Sequence, residues 1–205
     1  MAWFDAGDLF WASFDGLACS GQGLIWSAEP WTGKFGIPDT VWAAAHTTQF
    51  TARGWRYLDK GAGGGGGYLP GRNPGTSGGT YVALASNDTH DDVTVVFETM
   101  DNNGSACAPG NAGWNVAAQE NNRVQVCFAH DWCAARQLLQ QRQQEPLSLV
   151  AFRTDILRNQ RFEQLADVAV DAQCCFHANL SASSIHTFST KRGATRGSHP
   201  DATVS

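Results

Sequence analysis

The 205-residue sequence predicts a mainly β protein, an antiparallel β-sandwich with a strand-loop-helix unit ahead of it. Two observations carry that prediction. Apolar residues keep a helical spacing only in the stretch ending at Phe50, and beyond it short β-branched and aromatic runs follow a period near two between polar turns. With 42% hydrophobic residues the chain can also bury a sizeable core. Six or more such runs in succession read as a sandwich.

The elements follow in order. Gly23 to Ser27 (GLIWS) is a short apolar run bounded by glycine and by Glu29-Pro30, which predicts a buried strand ending in a loop. Pro38 and Asp39 suit a first helical turn, and Val41, Trp42, Ala45 and Phe50 then share one face of a helix. After Phe50 come GWRYL, TYVALAS (Thr80 to Ser86) and VTVVFET (Val93 to Thr99). The last two are joined by Asn87 to Asp92, a hairpin connection, because Asn and Asp satisfy turn backbone groups with their own side chains. Later strands are predicted in LSLVAFRTDI (Leu147 to Ile156), RFEQLADVAV (Arg161 to Val170), FHANLSA and SIHTFST.

Two biased segments interrupt this pattern. Gly61 to Gly79 is glycine-rich and reads as a flexible, long hairpin insertion. It contains a GxGxxG match, but no Lys-Ser/Thr pair and no helix follows, so a phosphate-binding loop is not predicted. Ala134 to Pro146 is Gln-rich, reads as a short helix or a loop, and is assigned no chemistry.

Charge and hydropathy exclude several classes. The chain has 14 basic against 19 acidic residues, a net charge of -5, and no Lys/Arg stripe that could neutralise a phosphate backbone, so nucleic acid is not an expected partner. No run approaches the roughly 18 apolar residues of a membrane span, and the first residues carry acids where a signal peptide would carry Lys or Arg. No signal peptide is visible. Asn87, Asn103 and Asn179 each open an Asn-x-Ser/Thr triplet, candidate N-glycosylation sites that suit a secretory-pathway protein. Eight Trp and eleven Phe fit a carbohydrate-handling surface or a sheet core equally.

Candidate reactive groups are few. Glycoside hydrolysis needs two carboxylates across the scissile bond, roughly 5 to 9 Å apart. Glu29, beside Pro30 and Trp31 after a strand, is one candidate but also a plausible loop brace; Glu98 lies on a strand, where a solvated side explains it. His46 completes a formal Ser/His/Asp set, yet no G-x-S-x-G elbow frames any serine. Cys127, His130 and Cys133, with Cys174, Cys175 and His177 further on, offer thiolate and imidazole ligands for zinc. Their spacing matches no common finger and adjacent cysteines do not easily bind one ion, so these cysteines read as buried or disulfide-forming, with no metal and no cofactor.

The runs GLIWSAEPWTG, VWAAAHTTQFTARGWRYL, GGTYVALAS and VTVVFETM, in this order, resemble galactosylceramidases (galactocerebrosidases, glycoside hydrolase family 59). The likeness is strong from Gly23 to Met100 and continues loosely through Cys107, GWNV, SIHTFST and RGATRGSHP. It implies a family architecture of (β/α)8 barrel, β-sandwich and lectin-like domain. On this reading residues 1–50 are the C-terminal strand-helix end of the barrel, 51–199 the sandwich with its insertion at 61–79, and 200–205 a tail. The implied activity is retaining hydrolysis of the β-galactosyl bond of galactosylceramide in lysosomal glycosphingolipid catabolism, with that glycolipid as substrate and a lipid-presenting activator protein as a further partner.

The family's acid/base and nucleophile are both Glu on earlier barrel strands with no counterpart here, so the resemblance implies no catalytic residue and an inactive isolated chain. Trp3, in Ala2-Trp3-Phe4, stands where the family has a sugar-pocket Trp and is the one substrate-binding candidate. The family's active-site arginine after its cysteine is replaced by Ala108, Pro109 and Gly110, and Cys107 is expected to be unpaired. Trp42, His46 and Gln49 are read as a face of the final barrel helix at its seam with the sandwich, with Gly54-Trp55 opening the first sandwich strand. The alternative is a non-catalytic glycan-binding or scaffold module, with Trp114 and Trp132 as the exposed aromatics to hold a sugar.

Overall fold

The computed structural model describes residues 30–32, 39–58, 66–69, 80–86, 92–99, 122–129, 132, 136, 146–155, 158–182 and 184–195. A 3-10 turn at Pro30–Thr32 precedes helix α1 (Asp39–Thr48). Nine strands follow among the described residues: β1 (Arg56–Tyr57), β2 (Gly66–Tyr68), β3 (Thr80–Ala85), β4 (Val93–Glu98), β5 (Asn122–Cys127), β6 (Ser148–Asp155), β7 (Gln160–Ala169), β8 (Cys175–Leu180) and β9 (Ser184–Ser189). All their pairings are antiparallel. The larger sheet runs β1-β3-β4-β9-β6-β7, with β2 also on β3, and β5 with β8 forms a two-stranded ribbon.

The strand period of two sorts the side chains into two layers. Val95 and Phe97 of β4, Leu149 and Ala151 of β6 and Phe188 of β9 point inward and meet Phe176 and Leu180 of the ribbon in one core. Their alternate neighbours Val150 and Phe152 point outward, where Trp42, Ala45 and Phe50 cover them together with Phe162. This explains why β4 and β9 are buried along almost their whole length: the ribbon covers one face and α1 the other. By contrast, β7 sits at the edge, where Phe162 is its one buried residue and the others are partly buried or exposed. The chain is therefore the mainly β, antiparallel sandwich that its sequence predicts, with one helix laid on the outer face of the larger sheet.

The structure refines several expectations. Trp42, Ala45 and His46 form the sheet-facing side of α1 and the buried Phe50, just past the helix end, continues it, whereas Gln49 is exposed and does not share that face. Gly54 turns the chain with φ of 97°, a left-handed conformation that favours glycine, and β1 begins at Arg56 rather than at Gly54-Trp55. Within the glycine-rich segment, Gly66 to Tyr68 pair with Val82 to Thr80 on β3, and Leu69 is 2% exposed in the core, so this part is ordered by tertiary pairing. Strand β5 has no counterpart among the predicted strands. The predicted strand at Gly23 to Ser27 and the turn at 87–91 lie outside the described residues, as does most of the Gln-rich segment, where Arg136 is helical and pairs with Asp92 at 3.0 Å.

Candidate functional site

The joint between α1 and the sheet centres on His46, whose side chain is fully buried. Position 46 falls one turn after Trp42 on the inward face, which aims the ring at β6 and β9. Its Nδ1 lies 2.8 Å from Thr187 Oγ1 on β9, and its Nε2 lies 2.8 Å from Thr154 Oγ1 on β6. The protons have one consistent arrangement. Thr187 Oγ1 donates to the His46 carbonyl at 2.9 Å, so it must accept from Nδ1–H. Thr154 Oγ1 accepts the Phe162 N–H at 3.0 Å and donates its own hydrogen to Nε2.

Burial pushes the His46 pKa down to about 3, with the nearby His186 as a second, like-charge cause. A neutral ring with both nitrogens engaged and no solvent contact cannot take or give a proton to a substrate. Around it Phe162 packs edge-on at 5.2 Å, and Phe50, Phe152 and Phe162 stack on one another at 4.8 to 5.9 Å between centroids. The end of the helix is closed by the sheet: Thr94 Oγ1 donates to the Phe50 carbonyl and Lys191 Nζ to the Thr51 carbonyl, each at 2.9 Å. A cation there also suits the negative end of the helix dipole.

One strand of this joint is locally irregular. Between Arg153↔Glu163 and Asp155↔Gln160 the register shifts, and Phe162 adopts φ of 49°. A bulky residue in the left-handed region is strained by about 1–3 kcal/mol. The bulge turns the Phe162 ring to the helix face, where its burial is worth about 2–3 kcal/mol.

A second polar cluster lies inside the sandwich at the β8–β9 turn. His186 Nε2 accepts from the Ser181 N–H at 3.2 Å and lies 2.9 Å from Ser184 Oγ, whose own hydrogen goes to the Ser181 carbonyl. Burial, then Arg153, lowers the His186 pKa to about 4 against the opposing pull of Asp155. Ser184 is fully buried, so this Ser-His contact closes a turn and is not placed to attack a substrate.

Six carboxylates of the described residues have structural work. Glu98 accepts from Thr80 Oγ1 at 2.9 Å, Asp155 from Arg158, Glu163 from Arg153, and Asp171 from the Gln173 and Cys175 N–H groups. Asp92 pairs with Arg136 and Asp167 with Arg192. Cys127 and Cys175, paired across the ribbon, form a disulfide, and Cys174 is also disulfide-bonded, so these thiols are not zinc ligands. Among the described residues no cysteine is free. His177 is exposed on the outer ribbon face. Trp132 is half-buried, 4.6 Å from Phe128 and packed beside Leu147 and Cys174. Asn179 is exposed on β8. Trp3, Glu29, Asn87, Asn103, Cys107, Trp114, His130 and Cys133 lie outside the described residues.

Sequence reasoning marked His46 but not its threonine partners. No local signal marks them: Thr154 stands between Arg153 and Asp155 and Thr187 between His186 and Phe188, at sequence separations of 108 and 141 from His46.

The class this geometry defines is a β-sandwich module with one helix pinned to its outer face. Its relatives are more specific. Over about half its length the chain is similar to galactocerebrosidases: it is 38% identical to that of Salmo salar over 107 residues, 52% of this chain and 14% of that protein. It is 40% identical to those of Canis lupus familiaris and Homo sapiens over 85 residues, 42% of this chain and 11% and 10% of theirs. The chain thus spans about one seventh or less of the length of these relatives. No family model matches it. Among solved structures, a GH30 endoxylanase from Clostridium papyrosolvens aligns with 75% of this chain and 28% of its own at 18% identity and a TM-score of 0.45. That likeness adds nothing to the strand order and register described above. No helix of the described residues is long and apolar enough to cross a membrane.

Proposed function

We propose that the chain is the sandwich portion, with the last helix of the (β/α)8 barrel, of a galactosylceramidase-like glycoside hydrolase. The parent reaction is retaining hydrolysis of the β-galactosyl bond of galactosylceramide and related glycosphingolipids, placed in the lysosome, with a lipid-presenting activator as a candidate partner. The observation that carries the reading is the 36–40% identity to galactocerebrosidases of fish and mammals, over about half of the chain. The most distinctive motif of the resemblance, AHTTQF, contains both anchors of the helix-sheet joint, His46 and Phe50, which gives the motif a physical reason.

In this reading the sandwich braces the barrel through α1 and does no chemistry itself. The six carboxylates named above are bound to Arg, Thr or backbone partners, so none of them is poised as acid or nucleophile. Trp3 remains the candidate contact with the sugar. Purified chain is expected to give no turnover of a fluorogenic β-galactoside, and measurable hydrolysis that follows the folded chain through purification would overturn the division of labour. The same chain joined to a barrel carrying two strand-end Glu is expected to hydrolyse it.

A further inference from the structure

We propose that Asn179 carries an N-linked glycan, added before the β8–β9 turn closes, and that the outer face of the β5–β8 ribbon is therefore a solvent face of any larger protein that contains this chain. The inference rests on the ribbon and its disulfide, and not on the galactosylceramidase reading.

The geometry at the triplet is divided between its residues. Asn179 points outward and is exposed, Leu180 is fully buried in the core, and Ser181 turns the chain toward β9. Arg123, Gln125, His177 and Asn179 are exposed and polar on the outward side of the ribbon, with Arg123 directly across from Asn179 and Gln125 across from His177, and the exposed Cys127 with its disulfide to Cys175 follows at the end of that row. Covering that face with a second domain would bury a guanidinium and two amides with no partner supplied by the ribbon, which is unfavourable. A glycan, whose hydroxyls stay hydrated, adds no such cost.

The ribbon also reports where the chain folds. Cys127 and Cys175 are joined at the same ribbon's far end, and Cys174 is disulfide-bonded as well. Disulfides persist in oxidising compartments, and the secretory pathway is the one that also holds the glycan-transferring enzyme. There the Asn179 amide nitrogen would attack the anomeric carbon of a lipid-linked oligosaccharide diphosphate. The C–N bond forms as the anomeric C–O bond to the diphosphate breaks, the lipid diphosphate leaves, and the amide proton passes to the medium.

Timing follows from Ser181. The transferase reads the serine hydroxyl of the triplet, but in the fold Ser181 Oγ is held 3.0 Å from Ser184 Oγ and 3.2 Å from His186 Nε2. The hydroxyl is therefore readable only before β8 and β9 come together, whereas the Asn179 side chain stays outside afterwards and leaves room for the product.

The test is to secrete the full chain from cultured animal cells behind a cleavable leader and map peptides after enzymatic deglycosylation in heavy-oxygen water. Asn179 is expected to convert to labelled Asp in most molecules, Asn179→Gln to remove that glycan alone, and Ser181→Thr to keep it. Secreted, disulfide-bonded chain with Asn179 unmodified would overturn the proposal. A second arm presents refolded and reduced, unfolded chain to microsomal membranes with the lipid-linked donor. Modification of the unfolded chain only is expected; equal modification of the folded chain would overturn the timing.

Discussion

His46 and Thr187 hold each other by two hydrogen bonds, ring Nδ1–H to Oγ1 at 2.8 Å and the same hydroxyl to the His46 carbonyl at 2.9 Å. The pair joins α1 to β9 across 141 residues of sequence. Thr187→Val keeps the shape but leaves a buried ring N–H unsatisfied, with an expected loss of about 2–3 kcal/mol. His46→Ala adds a cavity and should cost about 3–5 kcal/mol. Because each variant breaks the same contact, the double variant should fall short of the sum by about 1 kcal/mol or more. Urea unfolding of the four proteins measures this, and strict additivity would show that the pair is not coupled.

Acid should destabilise the sandwich through its two buried histidines. Burial lowers His46 to about 3 and His186 to about 4, below the ordinary value of 6.5 that both regain on unfolding. The unfolded chain then binds more protons between those values, so this contribution to stability is complete above pH 6.5 and declines as pH falls toward 4 and then 3. Each histidine accounts for roughly 1.4 kcal/mol per pH unit in that window. Unfolding midpoints from pH 7.5 to 4.5 should fall steadily. In Thr187→Val, where the neutral ring has lost one partner, the wild-type slope should survive. A midpoint that rises on acidification would contradict neutral burial of both rings.

The sequence makes the buried centre of this fold legible and hides its edges. β4 and β6 are β-branched and apolar enough to declare themselves, and α1 shows a Trp42 and Ala45 stripe that Phe50 continues just past its end. β5 (NRVQVC) was obscured because Arg123 and Gln125 face solvent and its cysteine suggested a ligand. β2 has two glycines and no strand propensity, and only its pairing with β3 makes it a strand. The role of His46 depends on Thr154 and Thr187, 108 and 141 residues away, and no local pattern reports partners at that distance.

Removing the ribbon disulfide should weaken the fold without changing its topology. Cys127 and Cys175 close a loop with a sequence separation of 48, for which the chain-entropy estimate is about 4 kcal/mol. The paired Cys127→Ser, Cys175→Ser variant is preferable to a reductant, which would also open the disulfide of Cys174. Its urea midpoint should drop with far-ultraviolet dichroism retained in water. An unchanged midpoint would mean that the ribbon is held by Phe176 and Leu180 in the core, with the cross-link redundant.

Phe162 separates strain from packing. Its φ of 49° favours glycine, while its ring contacts Trp42, His46, Phe50 and Phe152. Phe162→Ala retains the left-handed strain and loses the ring, so the expected cost is about 3–5 kcal/mol. Phe162→Gly loses the same ring but relieves the strain, and should be more stable than the alanine variant by about 1 kcal/mol. In an ordinary strand position glycine is the worse of the two by about the same amount. The sign of the Gly-minus-Ala difference, read from chemical denaturation, therefore decides whether the bulge is a built feature of β7: if alanine proves the more stable, Phe162 does not occupy the left-handed conformation and the register shift at the joint is wrong.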